Sequence, residues 1–253
     1  MPSAEELKLL KTIIGNIAHD LRTPLATLNL GASAYEKLLP TISQVTAGEL
    51  PSERLSAQTI QQLEGLSKIN DNMQKAVRLA CHSLELMLIN VNANAINPKD
   101  FILCSIQENI ADMLCNYPLH EDEKELIEWD QHTDFAYSGN NTLTKHMLFN
   151  LLKNALYAVK SSNNETPKVI ITVQPGIEHN ILKFKDTGCG ITKENIDKIF
   201  DPYYSTRTAG NGLGLPFCRR VMRAYNGRIE CFSREQQYTE FQLRFPAVQI
   251  NHD

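Results

Sequence analysis

Asn150 and Asn154 stand four residues apart in a strongly helical stretch, so their carboxamides share one helix face. A carboxamide oxygen is a hard, neutral ligand suited to Mg²⁺, which prefers oxygen and keeps waters when it binds beside phosphates. Downstream, Asp186 closes a strand-like run and opens Asp186-Thr187-Gly188-Cys189-Gly190. Glycines there permit a tight turn and close approach of backbone to a ligand, and a carboxylate can accept from an exocyclic amine. Next comes Gly210-Asn211-Gly212-Leu213-Gly214-Leu215, directly ahead of a helix. Left-handed glycine angles and the free N–H groups of a helix start favour phosphate oxygens. Far upstream lies Asn16-Ile17-Ala18-His19-Asp20-Leu21-Arg22-Thr23-Pro24-Leu25, where a helix would carry His19 beside an acid, with Arg22 and Thr23 within a turn. Asp20 can orient or deprotonate the imidazole so that a ring nitrogen attacks. A helix-borne histidine and a glycine-rich phosphate site point to phosphoryl transfer onto that histidine.

Each signal has a plainer reading. Asparagine pairs are common on helix surfaces, Asp-x-Gly-x-Gly recurs in turns and calcium loops, and a lone histidine often sits on a solvated helix face. Their co-occurrence and order carry the argument.

The elements that must position these groups fall into two regimes. In the first ninety residues, Ile13, Ile14, Ile17, Ala18, Leu21, Leu25 and Leu28 recur at helical spacing. This predicts a helix from Ala4 to Leu39, opened by a Ser3/Glu6 capping box, kinked past His19 by Pro24 and ended by Pro40. Residues 41–52 read as a loop, with Ser52 placed to cap a second helix. In that helix Leu63, Leu66, Asn70, Met73, Val77, Ala80, Leu84, Met87 and Val91 alternate spacings of three and four, an a/d seam with Asn70 as its polar exception. Two such helices cannot both bury a stripe as an isolated pair, and a two-fold dimer forming a four-helix bundle solves this; the plainer alternative is a coiled-coil spacer. We expect a dimerisation segment over 1–92 and, from Asn97-Pro98, a linker over 93–99.

Residues 100–253 mix strands and helices. Expected strands are 101–105, 126–129, 134–137, 169–173, 181–186, 228–232 and 240–245; expected helices are 106–116, 143–160 and 213–225. The order suggests an α+β two-layer sandwich. No glycine turn follows a first strand into a helix with the dinucleotide fingerprint, which excludes a Rossmann unit. The chain as a whole is then α+β, a long helical hairpin followed by the sandwich.

Composition narrows the class. A net charge of −4 gives no reason to expect nucleic acid or an anionic membrane as partner. The six cysteines (81, 104, 115, 189, 218, 231) are scattered without a Cys-x-x-Cys pair, which points to reduced thiols in a cytosol. Neither a signal peptide nor a run of eighteen apolar residues occurs, so a soluble, cytoplasmic chain is expected.

Taken in order, these segments resemble the H, N, G1, F and G2 boxes of bacterial sensor histidine kinases, over nearly the whole chain. The F-box match is Ile199-Phe200-Asp201-Pro202-Tyr203-Tyr204-Ser205-Thr206-Arg207, with tyrosines where phenylalanine is usual and Arg207 where lysine is common. The resemblance implies a dimerisation and histidine-phosphotransfer domain followed by an ATP-binding catalytic domain. It gives Asn154 to Mg²⁺, Asn150 to a phosphate and Asp186 to the adenine amine. It extends the nucleotide set to Gly188, Gly190, Tyr203, Thr206, Arg207, Gly210, Gly212, Leu213 and Gly214, with residues 201–211 as a lid over ATP. Tyr157 departs from the pattern, standing where lysine or histidine often contacts phosphate, and Lys153 is the alternative. ATP would phosphorylate His19, and the phosphoryl group would pass to an aspartate of a separate response regulator. Thr23, four past the histidine, would orient water for dephosphorylating that partner; its plainer role is a back-bond to the carbonyl of residue 19. Sensing or membrane segments usually precede the H-box in this family, so either a truncated chain or input from another chain is implied. The wording around His19 looks like that of quorum-sensing kinases that answer α-hydroxyketone signals. The reading from another class is a nucleotide-binding pseudokinase scaffold; gyrase-like and chaperone ATPases share the glycine motifs without the histidine segment.

Overall fold

The long helix α1 spans Ala4–Thr46 and contains both Pro24 and Pro40. The computed structural model describes residues 4–47, 57–91, 96–206 and 212–248, with the side chains of α1 described from Leu21 to Val45. Pro40 does not end the helix as the sequence suggested. A proline costs its helix one hydrogen bond, but ending there would forfeit the apolar stripe that runs on from buried Leu38 to half-buried Ile42 and Val45. The expected Ser3 and Ser52 caps lie outside the described residues.

Two helices follow, α2 (Ala57–Glu64) and α3 (Leu66–Val91), separated by Gly65. The ladder continues across it, with Gly65 donating to the Gln61 carbonyl and Ile69 donating to the Gly65 carbonyl. Gly31 lies so close to Met73 that a Cβ there would sit 2.4 Å from its sulfur. Tyr35 donates to the Leu66 carbonyl at 3.3 Å. Residues later in α1 thus meet residues earlier in α3, and the helices run antiparallel. The chain divides into two compact units, 1–85 and 86–253; the division falls inside α3, ahead of the 93–99 linker expected. None of the described helices is long and apolar enough to cross a membrane.

The second unit is α+β. Past a 3-10 turn at Pro98–Asp100, its elements are β1 (Ile102–Ser105), α4 (Ile106–Asn116), α5 (Glu121–Lys124), β2 (Ile127–Trp129), β3 (Ala136–Gly139) and α6 (Asn141–Lys160). Then come β4 (Val169–Gln174), β5 (His179–Asp186), α7 (Lys193–Ile196), α8 (Gly214–Ala224), β6 (Arg228–Arg234) and β7 (Tyr238–Pro246). A five-stranded sheet has the order β2-β4-β5-β7-β6, antiparallel except between β2 and β4; β1 and β3 form a separate antiparallel pair. Alternation along β4, β5 and β7 points Val169, Ile171, Val173, Leu182, Phe184, Phe241, Leu243 and Phe245 to one face. These pack with the buried side of α6 (Met147, Leu148, Leu151, Leu152, Ala155) and with Phe217 and Val221 of α8.

The strand expected at 134–137 starts two residues later. Asp134 is instead spent on the β1–α4 junction, accepting from Ser105 Oγ at 2.8 Å and from the Gln107 N–H at 2.9 Å. The short helices α5 and α7 were not expected.

Candidate active site

Helix α6 is the platform. Its N-cap, Asn140, accepts from the Leu143 N–H at 3.1 Å, and its apolar side is pressed onto the sheet. Asn150 is buried, with Nδ2 donating to the His146 carbonyl at 2.9 Å. This turns its Oδ1 toward the start of α8, where a Cβ on Gly214 would lie only 2.7 Å from it. At the other end of the helix Gly188 leaves no more room, since a Cβ there would stand 2.4 Å from the Ala158 carbonyl carbon. Cys189 N–H donates to the Ala158 carbonyl at 3.3 Å. The two glycine motifs, far apart in sequence, therefore both seat on α6. Asn154 lies midway between the two contacts, four residues from each; it is half-buried, and Lys153 beside it is exposed. Tyr157, on the same face, is 47% exposed.

Asp186 ends β5 on the core face of the sheet, the last member of the row Leu182, Phe184, Asp186, and is only 3% exposed. It is flanked by Val169 and Thr239 on neighbouring strands. One carboxylate oxygen accepts from the Gly188 N–H at 3.0 Å. Burial, and the nearby Asp186 charge, push the Cys231 thiol up to about 12.

The loop is pinned from outside as well. Gly190, at φ +66°, would place a Cβ 2.2 Å from the Arg234 carbonyl oxygen, so only glycine fits there. Ile191 N–H donates to Ser233 Oγ at 2.8 Å, and Gln236 N–H to the Cys189 carbonyl at 2.7 Å.

The F-box-like segment and the last glycine motif meet through backbone. Tyr203, at φ +66°, donates its N–H to the Gly212 carbonyl at 3.0 Å, and Gly212 itself holds φ +62°. Tyr204 OH donates to Asn195 Oδ1 at 2.6 Å. Arg219 Nη2 donates to the Phe200 carbonyl at 2.9 Å, with its guanidinium 5.4 Å from the Phe200 ring centre. Thr206 is exposed, while Leu213 is buried and offers a ligand only its backbone. Arg207 and Gly210 lie outside the described residues. Asn195, Arg219 and Arg220 were missed in the sequence, where consecutive arginines on an amphipathic helix look like solvated charge.

In the helical unit His19 and Asp20 fall on α1, with their side chains outside the described residues. Thr23 is exposed and Pro24 is buried. Here the back-bond described is that of Thr27, whose hydroxyl donates to the Thr23 carbonyl at 3.1 Å.

Among the described residues no three His, Cys, Asp or Glu side chains gather as a metal cage. A divalent ion on α6 would rest on a carboxamide oxygen, with phosphate and water oxygens completing its shell. Mg²⁺ accepts that donor set, and the residues present fit it.

Residues 139–249 match the family described as histidine kinase-, DNA gyrase B-, and HSP90-like ATPase. The chain is 31% identical over 243 residues to the CAI-1 autoinducer sensor kinase/phosphatase CqsS of Vibrio cholerae serotype O1, covering 95% of this chain and 34% of that protein. It is 32% identical over 241 residues to the autoinducer 1 sensor kinase/phosphatase LuxN of Vibrio harveyi, covering 94% of this chain and 26% of that protein. The chain thus spans about a third or less of the length of these curated relatives. The solved structure of the Acinetobacter baumannii histidine kinase AdeS shares the fold, with a TM-score of 0.50 at 19% identity over 91% of this chain and 98% of that one.

Proposed function

We propose that the chain is the catalytic core of a sensor histidine kinase, since residues 139–249 match the family described as histidine kinase-, DNA gyrase B-, and HSP90-like ATPase and nearly the whole chain is similar to sensor histidine kinases. It binds ATP on the 86–253 unit and transfers the γ-phosphoryl group to a ring nitrogen of His19. The new P–N bond forms as the bond to the ADP oxygen breaks. The imidazole proton leaves toward Asp20, which acts as orienting group or base. The phosphoryl group then passes to an aspartate on a separate response regulator, and Thr23 orients water for the reverse signal, dephosphorylation of that partner.

The observation that carries this reading is the seating of both glycine motifs on α6 with Asn154 between them. Phosphoryl transfer asks a protein for positioning and charge neutralisation more than for covalent chemistry. Asp186 is the acceptor for the adenine amine at one end of the helix. At the other, the Gly212–Gly214 turn and Asn150 meet phosphate oxygens, with Gly210 and Arg207 completing that end. Tyr157 or Lys153 lines the face between them. Asn154 would hold Mg²⁺, which would supply further neutralisation of the phosphate charge when bound. The α1–α3 hairpin pairs with a second copy as a four-helix bundle, and the chain works as the cytoplasmic part of a membrane-anchored sensor. Its similarity to CqsS and LuxN supports a quorum-sensing setting.

The test is incubation with γ-labelled ATP. Wild type should acquire an acid-labile label, while His19→Gln should acquire none and bind ATP as well as wild type does. Label retained on His19→Gln removes this histidine from the mechanism. Free phosphate without label makes the protein an ATPase, and neither product makes it a scaffold.

A further inference from the structure

Arg220 on α8 is half-buried, with part of its charged side chain kept from water at a cost. Its Nε is buried with no hydrogen-bond partner among the described residues, and burial lowers the pKa of its guanidinium. Its Nη2 donates to the Ile89 carbonyl at 2.6 Å. Ile89 lies in the last turn of α3, which ends at Val91, where helix carbonyls have no intrahelical donor and a cation is favourable. That turn belongs to the same compact unit as α8, and Ile89 packs against its core.

The neighbouring side chain points elsewhere. Arg219 holds the Phe200 carbonyl, and the segment that follows Phe200 is paired through Tyr203 N–H to the Gly212 carbonyl. Gly212 in turn leads into Gly214 and α8. One helix therefore grips the end of α3 with Arg220, and with Arg219 the segment that backs the glycine turn.

We propose that Arg220 is a positioning residue that ties the last turn of α3, through α8, to the Gly212–Gly214 turn and the Phe200–Tyr204 segment, so that the state of that turn sets how tightly nucleotide is held. This rests on the reading of the glycine turn as a phosphate site.

The test combines amide hydrogen exchange with ATP titration on the full chain. Arg220→Ala should speed exchange of the Tyr203 amide and weaken ATP binding, each by about tenfold, a coupling of ordinary size. Arg220→Lys keeps a donor for the Ile89 carbonyl and should recover part of both. Reciprocity gives a further measurement on the unaltered protein, in which saturating ATP must slow exchange in the last turn of α3. If Arg220→Ala speeds exchange only in that turn, with Tyr203 and ATP affinity unchanged, Arg220 is a helix cap and the proposal is overturned. If the variant does not fold, α3 protection in wild type that ignores ATP overturns it equally. A wild-type chain that binds no ATP removes the nucleotide reading instead, and Tyr203 exchange in Arg220→Ala then decides the coupling.

Discussion

Thr23 and Cys231 show how differently two small side chains can matter. Thr23 is exposed on α1, one turn beyond His19, where a docked regulator would present its phosphoaspartate. Its hydroxyl can donate to and accept from water, so it can orient a nucleophile without being consumed. Thr23→Ala should leave autophosphorylation intact and slow loss of phosphate from the cognate regulator; parallel loss of both activities with helix content would make the hydroxyl structural. Cys231 acts through stability. Its thiol is raised from the ordinary 9.0 to about 12 in the folded chain. The unfolded chain gives up that proton first, so the associated stability is whole below pH 9.0 and is lost as pH climbs toward 12. The melting temperature should therefore fall across this window, and less steeply in Cys231→Ser. An unchanged slope in the serine variant would show that the thiol is not part of the linkage.

Helix α6 assigns different costs to two residues that look alike in sequence. Asn150 is buried against Gly214 and its side chain adds a hydrogen bond to the His146 carbonyl, so removing its carboxamide leaves a hole beside Gly214 and forfeits that bond. Asn154 is half-buried on the face between the two glycine contacts. Asn154→Ala should eliminate phosphoryl transfer with little change in melting temperature. Asn150→Ala should weaken transfer less severely while lowering stability by about 1 kcal/mol, the usual net worth of a lost hydrogen bond. Kinetics and thermal melts on the same preparations check both, and wild-type rates in Asn154→Ala would exclude this helix face as the metal site.

Across the whole molecule, the helical unit leaves apolar surface uncovered. Leu30 is 74% and Leu88 70% exposed, and Leu25, Leu39, Val77 and Leu84 are exposed too. Seam residues Val77 and Leu84 are thus not buried by their own chain, whereas Ala76 and Leu38 are. Val77, Leu84 and Leu88 share one face of α3, and an exposed apolar face of this kind marks an association surface. Sedimentation of the full chain at micromolar concentration should give a dimer, and the isolated segment 97–253 a monomer that still binds ATP. A monomeric full chain would count directly against the bundle.

The order of motifs and most elements were legible in the amino-acid sequence, because they depend on neighbours a few residues away. The alternation of Val169, Ile171 and Val173 fixes one strand face, and the three-four spacing from Leu66 to Leu84 fixes a helix stripe. Helix 106–116 was legible to its ends, since Ser105 caps it locally by accepting from the Glu108 N–H. Local rules failed where distant packing outweighed them. At Pro40 the continuing stripe of α1 outweighed one lost hydrogen bond, and Asp134 was drawn out of its strand to cap a helix start. The meeting of Gly188 with Ala158, of Gly214 with Asn150 and of Arg220 with the Ile89 carbonyl could only be decided by tertiary structure. Each joins residues tens of positions apart or more, and no periodicity within one element encodes a contact that the sheet and its covering helices create between elements.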